Sequence, residues 1–196
     1  MAKVELTAEL RAEYRRLWGE ARILPKTRAR VREAALRISR GEARYRQTCG
    51  LLGIPWWWGG AVHELERGCR WDTHLHNGDP LTARTTHVPK GRPIAGKPPY
   101  TWEASAYDAL ANVMRVDRWQ DWSVEGALFQ WERFNGFGYR LYHPGHVSSY
   151  LWACTSQQTP GKYVGDRKWS ATAWSDQVGA AAALRMLVEL GRVGGI

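Results

Sequence analysis

Cysteine is scarce in this chain of 196 residues: Cys49, Cys69 and Cys154 are odd in number and show no CxxC spacing. That excludes a disulfide framework and a cysteine zinc site, and leaves reduced, structural thiols. Long apolar runs are missing as well. No stretch approaches the roughly 20 residues that cross a bilayer, and Met1 to Glu9 has no apolar core between a basic segment and a cleavage site. The expected product is soluble and cytoplasmic, with no transmembrane segment. Internal repeats, low-complexity tracts and long linkers are absent. Acidic residues are thin at the start, where residues 1–50 hold thirteen Lys and Arg against six Glu, or +7 of the total +9. Such a face suits an anionic partner, whether nucleic acid, a membrane surface or an acidic cell-wall polymer. An ordinary solvated helix surface explains it equally well.

With 44% hydrophobic residues, the chain is expected to form one domain with a real core. Thr7 can cap a helix to about Gly19 with Leu6, Leu10, Tyr14 and Leu17 on one face. Pro25 opens a longer basic helix whose stripe is Val31, Ala35, Ile38 and Tyr45. Thr101 caps a helix bearing Trp102, Ala106, Leu110 and Val113. Asp121 or Ser123 starts the best-patterned one, with Val124, Ala127, Leu128, Trp131 and Phe134 recurring before an Asn135-Gly136 stop. A last helix starts at Ser175-Asp176 and runs to Gly191. Between these, Thr82 to Pro99 carries six Pro and Gly signals, Pro89, Gly91, Pro93, Gly96, Pro98 and Pro99, that exclude a helix and favour a short hairpin or extended loop. Residues 137–172 read as irregular and aromatic.

The chemistry centres on Gly53 to Glu66. Trp58, Val62 and Leu65 fall at i, i+4 and i+7, and Glu66 follows on the last turn before Gly68 ends the helix. A carboxyl group in apolar surroundings keeps its proton nearer neutrality, as a general acid must. The polar loop beyond it holds Asp72, His74, His76, Asn77 and Asp79, and loops on rigid elements are where sites sit. Twelve Trp serve a core first, but exposed rings also stack on sugar faces.

These residues resemble the lysozyme-like superfamily. His63-Glu64-Leu65-Glu66 and Thr73-His74-Leu75-His76-Asn77-Gly78-Asp79-Pro80-Leu81-Thr82 look like the signature of lysozyme-family proteins of phages and bacteria. Phe134-Asn135-Gly136-Phe137-Gly138-Tyr139 is similar to the aromatic-Asn-x-Gly turn of goose-type lysozymes and soluble lytic transglycosylases. The resemblance covers roughly residues 50–190. It implies a mainly α (α+β) fold, a single lysozyme-like catalytic domain over 1–196 with basic N-terminal helices at 1–50 and a catalytic core at 51–196, and a small β-hairpin or extended insertion after the catalytic helix.

The resemblance further implies a phage or prophage endolysin, a muramidase that hydrolyses the β-1,4 bond between N-acetylmuramic acid and N-acetylglucosamine. Glu66 would be the acid, Asp79 the second carboxylate and Thr85 a holder of water, with Asp72 competing with Asp79. Substrate contacts would come from His63, His76, Asn77, Asn135, Tyr139 and Tyr150. No cofactor or metal is required. The enzyme would be a monomer, would act on peptidoglycan glycan strands rather than nucleic acid, and would stay in the host cytoplasm until released to the wall. Glu64→Gln is expected to be nearly silent, and reversing Arg30, Arg37 and Arg44 to weaken only the binding of whole walls.

Three other readings stay open. A lytic transglycosylase shares the scaffold and closes muramic acid on its own hydroxyl. A zinc peptidase could draw on His63, His74, His76, His87 and Asp79, although HExxH is absent. A non-enzymatic basic module would fit the charge, but no helix-turn-helix, RNA-recognition or zinc-finger pattern is present.

Overall fold

The computed structural model describes residues 4–165, 168–194 and 196. Those residues are mainly helical, with one small antiparallel strand pair. Contacts group the chain into two compact units, Leu36–Gln120 and a second made of Met1–Ala35 with Asp121–Ile196. The chain passes from one to the other within helix α2 (Arg28–Arg40), after α1 (Ala8–Glu20) and a single 3-10 turn at Pro25–Thr27. Among the described residues, no helix is long and apolar enough to cross a membrane.

In the unit Leu36–Gln120, the long basic helix expected after Pro25 is two helices. Helix α2 stops at Arg40, and α3 (Glu42–Gly50) begins after Gly41. A Cβ at Gly41 would stand 2.5 Å from the Tyr45 ring and 2.8 Å from the Trp71 ring, so the break lies where two aromatic rings close over the backbone. The stripe survives the break, because Ile38 and Tyr45 are both fully buried. Helix α4 (Trp56–Arg67) follows and packs on α3. Its residues from Trp56 to His63 are all buried, so it is enclosed on every side rather than along one stripe, and Gly68 closes it in the left-handed region at φ 61°. Tyr45, His63, Trp71 and Trp102 then form one aromatic cluster, with the Arg44 guanidinium 3.9 Å over the Trp71 ring.

The insertion after α4 is an extended loop rather than a hairpin. It contains one isolated bridge, Thr73 to Pro80, and is held by side chains. Helix α5 (Trp102–Tyr107), capped by Thr101, runs directly into a widened π-helical turn, Asp108–Val113.

The other unit is built on α1 and α6 (Val124–Asn135), which pack together and are capped by the Thr7 and Ser123 hydroxyls as their sequences imply. Helices α7 (Gly138–Tyr142) and α8 (Ser149–Trp152) follow, then strands β1 (Lys162–Gly165) and β2 (Lys168–Ser170) and helix α9 (Ala180–Glu189). The strand pair therefore falls in the stretch read as irregular, not after α4. Helix α9 starts five residues later than Ser175 because the Gly179 amide bonds to the Ala153 carbonyl, and a Cβ there would meet the Leu151 carbonyl oxygen at 2.3 Å.

Much of the basic N-terminal charge is answered inside each unit. Arg11, Arg15, Arg16 and Arg28 pair with Asp121, Glu125, Glu20 and Glu189. Arg37, Arg44 and Arg46 pair with Glu64, Glu103 and Glu42. Arg30 donates to the Cys154 sulfur. Reversing Arg30, Arg37 and Arg44 would consequently break internal contacts, which corrects the expectation of a pure wall-binding defect.

Candidate functional site

Glu66 sits on the last turn of α4, half-buried, one residue beyond buried Leu65. Its neighbour Glu64 is not a bystander. Arg37 grips Glu64 with two bonds, Nε to Oε2 at 3.0 Å and Nη2 to Oε1 at 2.5 Å, and the Glu64 side chain is only 8% exposed. A silent Glu64→Gln is therefore no longer expected.

The polar loop is organised by Asp79. Its Oδ2 accepts from the Thr86 amide at 2.7 Å, the Thr86 hydroxyl at 3.2 Å and the His87 amide at 3.0 Å, while Oδ1 accepts from His87 Nδ1 at 2.6 Å. Burial alone would raise this carboxyl, but the His87 and Thr86 hydrogen bonds outweigh it and hold Asp79 well below the usual carboxylate range. Three donors converge on Oδ2 and one on Oδ1, so Asp79 is engaged in closing the loop. Asn77 supports the same turn by accepting from the Asp79 amide. Thr85 is spent likewise, since its buried hydroxyl donates to the Pro89 carbonyl at 2.5 Å and accepts from the Arg92 amide. Asp72 is exposed and paired with Arg70.

The histidines named from the sequence are structural partners. His63 Nε2 donates to the Arg70 carbonyl at 2.8 Å, and Nδ1 meets the Tyr45 hydroxyl at 2.9 Å. His74 donates to the Ala83 carbonyl and accepts from Ser105 at 2.9 Å. His76 contacts the same Ser105 oxygen at 3.3 Å and donates to Asp108 Oδ2 at 2.8 Å. Asp108 also receives Arg92 through Nε and Nη2. This array has the residue types of a Ser-His-Asp triad, but Ser105 is fully buried, so no substrate reaches it. Its role is to staple the loop to α5 and the π-helical turn. Among the described residues, no three His, Cys, Asp or Glu side chains converge as a metal-ligand set.

Asn135, Tyr139 and Tyr150 belong to the other unit, and there the structure does bring them together. All three line one cavity of about 340 Å³, with Tyr163, Ser175 and Gln177 on its walls. Asn135 is exposed at the end of α6, and Tyr139 is fixed by a 2.7 Å bond between its hydroxyl and Ser149. Behind it, Tyr163 and Trp169 contact Tyr139 edge-on, and His143 stacks on Trp169 at 3.6 Å. Three tyrosine rings among amide and hydroxyl groups make a wall that can both stack and hydrogen-bond.

Set against known proteins, the chain has no match among protein-family models, curated proteins or solved structures. The sequence reading missed Tyr163, Ser175 and Gln177 as cavity residues; the one available signal was the density of aromatic and glycine residues over 137–172, which an apolar core explains as readily.

His63 carries a pH prediction. Burial pushes its imidazole down to about 4, below the ordinary 6.5. The unfolded chain thus takes up the proton first, and stability should fall as pH drops from about 6.5 towards 4, by about 3 kcal/mol once both states are protonated. Urea midpoints at pH 7, 5.5 and 4.5, with an NMR titration of the His63 ring, check this. A ring titrating near 6.5 would sink it.

Proposed function

We propose that the chain is a peptidoglycan glycosidase that cleaves the β-1,4 bond between N-acetylmuramic acid and N-acetylglucosamine, with Glu66 as proton donor. The observation that supports the reading is the tyrosine-walled cavity, because three residues singled out as sugar contacts, Asn135 and Tyr139 at one turn and Tyr150 eleven residues further on, line it together. A separate support, within the unit Leu36–Gln120, is Glu66 itself, a half-buried carboxyl ending an enclosed helix. In the reaction Glu66 protonates the oxygen leaving towards N-acetylglucosamine, and positive charge develops at the anomeric carbon of the muramic acid.

A hydrolase then delivers water to that carbon, whereas a lytic transglycosylase delivers the substrate's own C6 hydroxyl, with the Glu66 carboxylate taking its proton. The second outcome is favoured by one observation: Asp79 and Thr85 are committed to the loop, and Asp72 to Arg70. Mass analysis of soluble products from purified peptidoglycan tests both steps. Anhydro-muramyl ends are expected. Reducing ends, heavier by one water, would return the hydrolase reading, and no soluble products at all would remove the glycosidase.

A further inference from the structure

The loop between α4 and α5 carries charge that the glycosidase reading leaves unused. From Pro80 to Trp102 the chain has no Asp or Glu, and its cations are Arg84, Lys90, Arg92 and Lys97. Arg92 is spent on the buried Asp108. Arg84, Lys90 and Lys97 are exposed and, among the described residues, form no ion pair. The N-terminal helices differ, because Asp and Glu answer much of their charge.

Two turns spring from one place in this loop. Thr85 closes the first: its amide donates to the Arg92 carbonyl and its carbonyl accepts from the Gly91 amide, both at 2.8 Å, leaving residues 86–91 as a tip. Arg84, the preceding residue, closes the second by donating to the carbonyls of Ile94 at 2.9 Å and Gly96 at 3.4 Å. Each turn presents a β-branched apolar residue to solvent, Val88 at 86% exposed and Ile94 at 66%. One such side chain would need no explanation. Here two stand on adjoining turns among three unpaired cations. Asp79 braces the first turn through Thr86 and His87, so the arrangement is ordered before anything binds to it.

Charge and exposure together select the partner. Three cations without a nearby acid attract an anionic surface. A soluble polyanion would satisfy them but leave Val88 and Ile94 in water, whereas the interface of an anionic bilayer takes up the cations at its headgroups and the apolar side chains just beneath them. We propose that this loop docks the protein on an anionic lipid surface, with Arg84, Lys90 and Lys97 against the headgroups and Val88 and Ile94 entering the interface. The contact is peripheral, and it needs no helix long enough to span the bilayer.

The test is co-sedimentation of the full chain with vesicles of phosphatidylcholine alone or of phosphatidylcholine mixed with phosphatidylglycerol. Vesicles hold no glycan, so the outcome is independent of the glycosidase reading. Binding is expected to the mixed vesicles only, and it should weaken as added salt screens the charges. Lys90→Gln with Lys97→Gln should lower the partition coefficient about 25-fold, at about fivefold for each cation near the surface. Val88→Ser with Ile94→Ser keeps every charge and should still lower it at least about tenfold. Both variants alter exposed side chains and should unfold at the wild-type temperature. In the unmutated chain, a spin-labelled lipid in the mixed vesicles should broaden the amide signals of residues 86–97 first. Equal binding to both vesicles, wild-type partitioning of the Val88→Ser, Ile94→Ser variant, which is the result a charge contact alone would give, or broadening confined to residues outside this loop would each overturn the proposal.

Discussion

Glu66→Gln is expected to lose at least about 100-fold of the rate of peptidoglycan cleavage while unfolding at the wild-type temperature, since general acid catalysis typically contributes that much. The amide keeps the shape of the side chain and cannot give up a proton. Half-buried on the last turn of α4, Glu66 can lose its charge without emptying the core that Trp58, Val62 and Leu65 fill. Glu64→Gln, two residues away, should show the opposite pattern. It replaces one end of a bidentate pair whose carboxylate is 8% exposed, and should reduce stability by about 1–3 kcal/mol while the folded fraction keeps its activity. Measuring rate and unfolding temperature for both variants separates chemistry from structure. Wild-type rates in Glu66→Gln would remove it as the acid, and a rate loss confined to Glu64→Gln would move the assignment by two residues.

What could be read from the sequence was what is decided locally. Helix α1 with its Thr7 cap, α4 with its Gly68 stop and α6 with its Ser123 cap depend on residues within one or two turns of each other, so periodicity and cap chemistry suffice. Gly41 shows where that ends. Its role is set by rings four and thirty residues away, and Tyr45 alone gave no sign that the helix had to break there. The loop failed for a related reason. Asp79 and Thr85 are spaced as a catalytic pair would be, but spacing does not say which amides come back to meet them, and Thr86, His87, Pro89 and Arg92 do. The strand pair of β1 and β2 has too few residues and no alternation to announce itself. Asn135, Tyr139 and Tyr150 do line one cavity: Asn135 and Tyr139 flank the Gly136 turn, which local sequence announces, and Tyr150 comes in from α8.

The same loop yields the largest expected loss of stability. Asp108→Ala should lower the unfolding free energy by about 3–5 kcal/mol, the range for breaking a buried ion pair from one side. In a chain of this length that corresponds to about 10 °C in unfolding temperature. Asp108 is 6% exposed at its side chain and gathers four donors: Arg92 Nε and Nη2, His76 Nε2 and Asn112 Nδ2. Burial by itself would raise its carboxyl, yet the bonds from Asn112, His76 and Arg92 hold it below the ordinary value, so the charged form is the one the fold is built around. Removing it strands the Arg92 guanidinium, whose side chain is 15% exposed, while the Arg92 amide keeps only its bond to the Thr85 hydroxyl. Thr85 to Arg92 should then exchange amide hydrogens faster while α3 and α4 stay protected. Adding Arg92→Met to Asp108→Ala should recover part of the loss, since the stranded charge is what makes the single change severe. An unfolding temperature within about 2 °C of wild type for Asp108→Ala would show that water, and not this pair, already carries the charges, and that the loop is held by Asp79, Thr85 and the histidine contacts to Ser105.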